Sequence, residues 1–182
     1  MRIGVLALQG GFKEHIDAIK KLGHDAVEIK LPLQVDSVDG LIIPGGESTT
    51  LTQLMEKYSF NIKELEIPIF GTCAGCIILT KLGMINIKID RNAYGSQLNS
   101  FEDDIKLNKE EKNDRFHGVF IRAPKIVSFN RKVEVLGMHD GFAVLVKQDN
   151  VMAATFHPEL TDDTRVHKMF LDMVESRKEN MK

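Results

Sequence analysis

Residues 67–79 constrain the fold more tightly than any other stretch. Ile67-Pro68-Ile69-Phe70 is apolar, Gly71-Thr72-Cys73-Ala74-Gly75 follows, and Cys76-Ile77-Ile78-Leu79 is apolar again. The order reads as a buried strand, a sharp turn and a helix. G-x-C-x-G between a strand and a helix is the nucleophile-elbow arrangement with cysteine in place of serine. The two glycines let the chain turn tightly and pack closely, which a side chain at either position would hinder. The turn pushes the middle residue out at its tip. A thiol there sits at the N-terminus of the following helix, where unpaired N–H groups and the dipole favour the thiolate.

The flanking sequence repeats the same grammar. Ile3–Leu8 is a nearly continuous apolar run, as in a strand buried on both faces, and Gln9-Gly10-Gly11 is a turn. Phe12, Ile16, Ile19 and Leu22 recur at helical spacing, and Gly23 supplies a stop. Ala26–Ile29 and Gly40–Ile43 read as further strands, Pro44-Gly45-Gly46 breaks the second of them, and Thr49–Lys57 reads as a helix. Strands alternating with helices predict a parallel α/β sheet. After Gly83 the character changes. Met84–Ile89, Val119–Ile121, Val133–Leu136, Ala143–Lys147 and Met152–Phe156 are short strand candidates separated by turns, which predicts antiparallel strands in the C-terminal half. Asn99–Asp114 is charge-rich and reads as a solvated surface loop. Val166, Met169, Phe170, Met173 and Val174 form the apolar stripe of a final helix, with Asp162 and Asp163 at its start.

Composition narrows the class. With 182 residues, 43% hydrophobic and 27% charged, the chain reads as a single globular domain over 1–182. A net charge of −2 offers no basic stripe for nucleic acid, and the apolar runs are too short to span a membrane. The N-terminus enters a strand at once, with no secretory signal pattern. The only cysteines are Cys73 and Cys76, so no disulfide framework is expected and a cytoplasmic location fits.

An elbow cysteine needs a base. His157-Pro158-Glu159 closes the apolar run 151–156. Pro158 biases His157 towards extended geometry, and residues two apart in an extended segment project to the same side. Glu159 can therefore orient the His157 imidazole, completing a nucleophile–base–orienter set with Cys73. Pro44-Gly45-Gly46-Glu47-Ser48-Thr49-Thr50 ends the third strand, on the same rim of a parallel sheet as Cys73. Backbone N–H groups at Gly45 and Gly46, with that of Ala74, are candidates for an oxyanion hole.

These residues resemble a class I glutamine amidotransferase. Residues 4–10, 44–50, 91–95 (Arg91-Asn92-Ala93-Tyr94-Gly95), 120–124 and 156–161, in that order, narrow the resemblance to the glutaminase-subunit family of pyridoxal 5'-phosphate synthase. The resemblance covers nearly the whole chain and implies a three-layer, flavodoxin-like fold with a mostly parallel central sheet and additional antiparallel strands in the C-terminal half. It also implies hydrolysis of glutamine to glutamate and ammonia, with no cofactor or metal. The ammonia would pass to a separate (β/α)8-barrel synthase subunit that builds pyridoxal 5'-phosphate, the two forming a large hetero-oligomer. By motif match Cys73, His157 and Glu159 are the catalytic triad. Gly46, Glu47, Ser48, Arg91, Ile121 and Arg122 would bind glutamine, with Arg91 or Arg122 suited to its α-carboxylate. Gln9 and Gly10 match a segment that helps complete the oxyanion hole when the synthase docks. Cys76, Ser96 and a short stretch before Arg91 depart from the family's pattern without touching the triad.

Two other readings compete. Cys73-Ala74-Gly75-Cys76 is itself a C-x-x-C motif, which suits a thiol redox protein. Zinc is weaker: two cysteines need two more ligands, and His117, His139 and His167 show no close pair in the sequence.

Overall fold

The computed structural model describes residues 1–91, 100–108 and 114–180. The apolar runs of the first half form β1 (Arg2–Leu6), β2 (Asp25–Ile29), β3 (Gly40–Ile43) and β4 (Ile69–Thr72). The helical patterns form α1 (Phe12–Lys21), α2 (Ser48–Lys57) and α3 (Ala74–Lys81). The second half adds β5 (Ile87–Asp90), β6 (Ser100–Leu107), β7 (Arg115–Ile121), β8 (Lys125–Phe129), β9 (Glu134–His139), β10 (Phe142–Gln148) and β11 (Val151–Ala154). A 3-10 turn (Pro158–Leu160) and α4 (Arg165–Asn180) complete the described chain.

Among the described residues the main sheet runs β2-β1-β3-β4-β11-β10-β9-β6-β7. Its first five strands are parallel, and from β11 onward the pairing is antiparallel. This is the mixed sheet expected from the sequence. β5 and β8 pair separately as a small antiparallel sheet.

Strand pleating sorts the apolar side chains into two layers, because neighbours along a strand point to opposite faces. Ile42 and Phe70 join Ile16 and Ile19 of α1 and Val166, Phe170 and Val174 of α4 in one cluster. Leu41, Ile43 and Ile69 join Leu51 and Met55 of α2 and Ile78 and Leu79 of α3 in the other. The result is a sheet covered on both faces, with the helices fixed by their apolar stripes. Phe170 is fully buried, with its ring centroid 5.7 Å from that of Phe70. Phe170→Ala is expected to destabilise the protein by about 3–5 kcal/mol, since it removes buried ring area and leaves a cavity. A urea-unfolding midpoint that falls at unchanged slope is the expected signature.

The loop reading of 99–114 is corrected. Residues 100–107 form β6, paired with β7 from Ser100↔Ile121 to Lys106↔Arg115. The strand is buried on one face only. Ile105 and Leu107 turn inward and Phe101 is half-buried, while the alternate positions carry the charges that made the stretch look like a loop. β8, with Val127 and Phe129 exposed, was not anticipated either. Residues 92–99, including Ser96 and most of the 91–95 motif, lie outside the described residues.

Candidate active site

The site is built at one rim of the sheet. The loops after β1, β3, β4 and β11 carry Gln9–Gly11, Gly45–Glu47, Cys73 and His157 in turn. These four strands are parallel neighbours, so their C-terminal ends open at the same edge.

Cys73 is the N-cap of α3 and has φ 46°, ψ −99°, a left-handed conformation that a non-glycine residue adopts only under constraint. The constraint is close packing. A Cβ on Gly75 would lie 2.2 Å from the Ile43 carbonyl oxygen, and one on Gly71 would lie 2.6 Å from the backbone of Gly75. Both glycines of the elbow are therefore needed to let α3 start against β3 and β4. The Cys73 N–H donates to Ala154 O at 2.9 Å, tying the elbow to β11. Its thiol faces Ile121 O at 3.7 Å and His157.

His157 hydrogen-bonds Glu159 Oε1 through Nδ1 at 2.8 Å, and its backbone N–H donates to Val119 O at 2.8 Å. Burial alone would lower its pKa. Hydrogen bonds and charge from Cys73 and Glu159 outweigh burial and raise it to about 10. His157 is thus protonated at rest, facing Cys73 Sγ. Glu159 is buried, which alone would raise its pKa. The neighbouring imidazoles of His15 and His157, the hydrogen bond from His157 and its own backbone N–H hold it below the usual carboxylate range instead. Cys73, His157 and Glu159 are brought together in the order the sequence led us to expect.

A cation beside a thiol favours its nucleophilic form, so His157 should promote Cys73 alkylation. Iodoacetamide is expected to modify Cys73 readily at about pH 6.5 and much more slowly in H157N, with the two rates converging above about pH 9. Peptide mass spectrometry across that range checks this.

Gly45 is wedged between His157 and Cys73. A Cβ there would lie 2.3 Å from His157 Cε1 and 3.4 Å from Cys73 Cβ. The Gly11 N–H donates to the Gly45 carbonyl at 3.2 Å, and the Glu47 N–H donates to Gln9 Oε1 at 3.0 Å. A Cβ on Gly10 would lie 1.8 Å from Gly45 O. The Gln9–Gly10 turn and the Gly45–Gly46 loop are thus in direct contact. Ala74 is the first residue of α3 and is buried beside Cys73.

Glu47 is the N-cap of α2. Its carboxylate accepts from the N–H groups of Thr49 and Thr50 and from Thr50 Oγ1. The Thr50 backbone bond, the Thr50 hydroxyl and the Thr49 bond lower its pKa to about 2. Its side chain shapes the start of α2, and its backbone N–H ties the loop to Gln9. Arg91 Nη2 donates to Ser48 Oγ at 2.8 Å, so these two predicted residues share one locus. Ile121 ends β7 beside Cys73. Arg122 follows with φ 45° and an exposed side chain.

Cys76 is fully buried, and burial, together with the nearby Cys73, pushes its thiol up to about 12 despite a hydrogen bond with Thr80. It sits in the apolar layer under the sheet. A thiol held neutral and out of solvent does not serve a C-x-x-C redox pair.

One histidine pair forms that the sequence spacing does not show. His15 of α1 and His167 of α4 are both fully buried, and His15 Nδ1 lies 2.9 Å from His167 Nε2. They are 152 positions apart in sequence, which concealed the contact. Their one sequence signal is a histidine on each helix's apolar face: His15 beside Ile16 and Ile19, His167 beside Val166 and Phe170. Among the described residues no group of three or more His, Cys, Asp or Glu is arranged to hold a metal ion. A separate cavity of about 1050 Å³ opens near Pro68, Asn150 and the Met169–Met173 face of α4, and none of the predicted site residues lines it.

A family profile for the SNO glutamine amidotransferases matches residues 5–176. The chain belongs to that family. Among curated relatives, pyridoxal 5'-phosphate synthase subunit PdxT of Thermosipho africanus is 49% identical over 96% of this chain and 99% of its own length. PdxT of Thermotoga neapolitana is 47% identical, covering 96% of this chain and all of the relative. A crystal structure of a glutamine amidotransferase superposes with a TM-score of 0.86 at 42% identity, covering 95% of this chain and 98% of that one. The class I amidotransferase fold of the SNO family is the one described above.

Proposed function

We propose that residues 1–182 act as one glutaminase domain of pyridoxal 5'-phosphate synthase, supplying ammonia for vitamin B6 synthesis. The observation that carries the reading is the Cys73–His157–Glu159 constellation on an SNO-family fold, with Cys73 at a strained elbow and His157 bonded to Glu159 at 2.8 Å. Curated relatives of nearly equal length bear the name of that synthase's PdxT subunit.

The chemistry follows from the groups present. Cys73 thiolate attacks the glutamine carboxamide carbon, and backbone N–H groups at Gly45, Gly46 and Ala74 hold the tetrahedral oxyanion, with Gln9 and Gly10 completing the hole. The C–N bond breaks as His157 gives its proton to the departing nitrogen, leaving a glutamyl thioester on Cys73. His157, now neutral, takes a proton from water, and the resulting hydroxide releases glutamate and restores the thiolate. Glu159 orients His157 throughout. Gly46, Glu47, Ser48, Arg91, Ile121 and Arg122 surround the glutamine, and an arginine pairs with its α-carboxylate.

Ammonia is reactive and volatile, so free release would waste it. The protein therefore works in the cytoplasm with a (β/α)8-barrel synthase subunit, in a large hetero-oligomer. It stays slow until that subunit organises the Gln9–Gly10 turn. The contact of this turn with the Gly45–Glu47 loop supports such a route.

A diazoketone analogue of glutamine tests the site. It should label Cys73 and leave Cys76 unmodified, and L-glutamine should slow the labelling. Label on Cys76, or no protection by glutamine, would overturn the assignment.

A further inference from the structure

Glu159 uses only one of its carboxylate oxygens on His157. The other, Oε2, is buried and makes no full hydrogen bond among the described residues, and it lies 3.4 Å from His15 Nε2. The same nitrogen lies 3.1 Å from Thr72 Oγ1, the residue just before the nucleophile. His15 Nδ1 meets His167 Nε2 at 2.9 Å, and His167 Nδ1 has no partner among the described residues. His15, Thr72 and His167 are all fully buried. No step of the glutaminase chemistry uses them.

The tautomers follow from what each nitrogen meets. A neutral imidazole has one N–H and one lone pair. Burial keeps both rings neutral, lowering His15 and pushing His167 down to about 3. Suppose His15 donated from Nδ1 to His167. Its Nε2 lone pair would then face a carboxylate, and His167 would carry a buried N–H with nothing to accept it. Orphaned buried N–H groups are rare, and unfilled lone pairs less so. The opposite choice removes both faults. His167 donates from Nε2 to His15 Nδ1, His15 turns its Nε2–H on Glu159 Oε2 and Thr72 Oγ1, and the single vacancy is a lone pair on His167 Nδ1.

We propose that His15 is a positioning residue of the triad: its Nε2–H holds the second carboxylate oxygen of Glu159, and His167 fixes the tautomer that allows this. The proposal rests on the reading of Cys73, His157 and Glu159 as the reacting set. It links the carboxylate behind the base to the strand end that carries the nucleophile. It also places that link on α1, which starts directly after the Gln9–Gly11 turn. The groups that face Glu159 are His157 on its own segment, His15 and Glu14 on α1, His167 of α4 through His15, and Cys73 through His157.

Two polar substitutions of similar burden on folding separate this role from mere packing. H15Q sets its amide near the place of Nε2, whereas H15N sets its amide near Nδ1. Both are compared with wild type after circular dichroism shows equal folding. With the synthase subunit present, H15N should lower kcat for glutamine hydrolysis about 10- to 100-fold, the factor of one hydrogen bond to a charged group. KM should change little, and H15Q should recover most of the loss. Iodoacetamide labelling of Cys73 in the chain alone supplies a second readout. A Glu159 lacking its second donor is protonated at higher pH, so the acid limb of labelling should move up in H15N and back in H15Q. Equal behaviour of the two variants, whether both active or both impaired, would overturn the proposal. So would a kcat loss with the acid limb unmoved. Should wild type release no ammonia at all, the glutaminase reading fails, and the labelling profiles alone decide on His15.

Discussion

Cys73→Ser is expected to abolish glutamine hydrolysis, a loss on the order of 10⁴- to 10⁶-fold in kcat. Cys76→Ser is expected to keep it. The reasons lie in the two environments. Cys73 stands at the elbow tip, against the His157 imidazolium and at the start of α3. A serine there is not ionised by an imidazolium that a thiolate would otherwise neutralise, and its alkoxide is far harder to form. Cys76, three residues on, is sealed in the apolar layer with its thiol pushed up to about 12. It touches no reacting atom, and serine is close to it in size. A buried hydroxyl costs some stability unless it finds a partner, and Thr80, which already bonds the Cys76 thiol, is beside it. Ammonia release by both variants, measured with the synthase subunit present, separates the glutaminase from a dithiol redox protein. The latter would need both sulfurs.

The second large effect is expected for Glu159→Gln, a loss of about 10³- to 10⁴-fold in kcat with little change in KM. Glutamine keeps the shape of the side chain but removes the charge that stabilises the imidazolium. It also offers an N–H₂ where His157 needs an acceptor. The same substitution should change how stability depends on pH. Glu159 has a depressed pKa in the folded protein, so its contribution is present above the unfolded value of about 4.5 and is lost as pH falls through the folded value. Wild type should therefore lose stability on acidification below about pH 4.5 more steeply than E159Q. Thermal unfolding across that range checks the sign. An equal slope in the two proteins would mean that Glu159 is not held as a buried carboxylate.

The parts of the fold that were legible in the sequence share one physical cause. β1, β3 and β4 are buried on both faces, so they read as unbroken apolar runs with turn residues behind them. α4 was legible because five apolar residues fall on one stripe. β6 was not, because burial on one face leaves Glu102, Asp104 and Lys106 in solvent, and charge density then outweighs a short alternation. The grouping of Cys73, His157 and Glu159 was legible because the elbow imposes glycine at two fixed positions and Pro158 sets the spacing of His157 and Glu159. The support behind it was not. The His15–His167 contact joins the first helix to the last, and no local pattern encodes a pairing of that range. Glu47 likewise read as a ligand of substrate. Its capping of α2 became visible only once Thr49 and Thr50 were seen to donate to it.

We propose that this SNO-family glutaminase is built on Cys73 and switched on by its synthase. Ammonia release from L-glutamine, measured side by side with and without the purified synthase subunit, tests it most directly. The account requires slow release by the chain alone and a marked rise when the subunit is added. No release even with the subunit present would contradict the claim that this site hydrolyses glutamine, and equal release in both arms would contradict the activation through the Gln9–Gly10 turn.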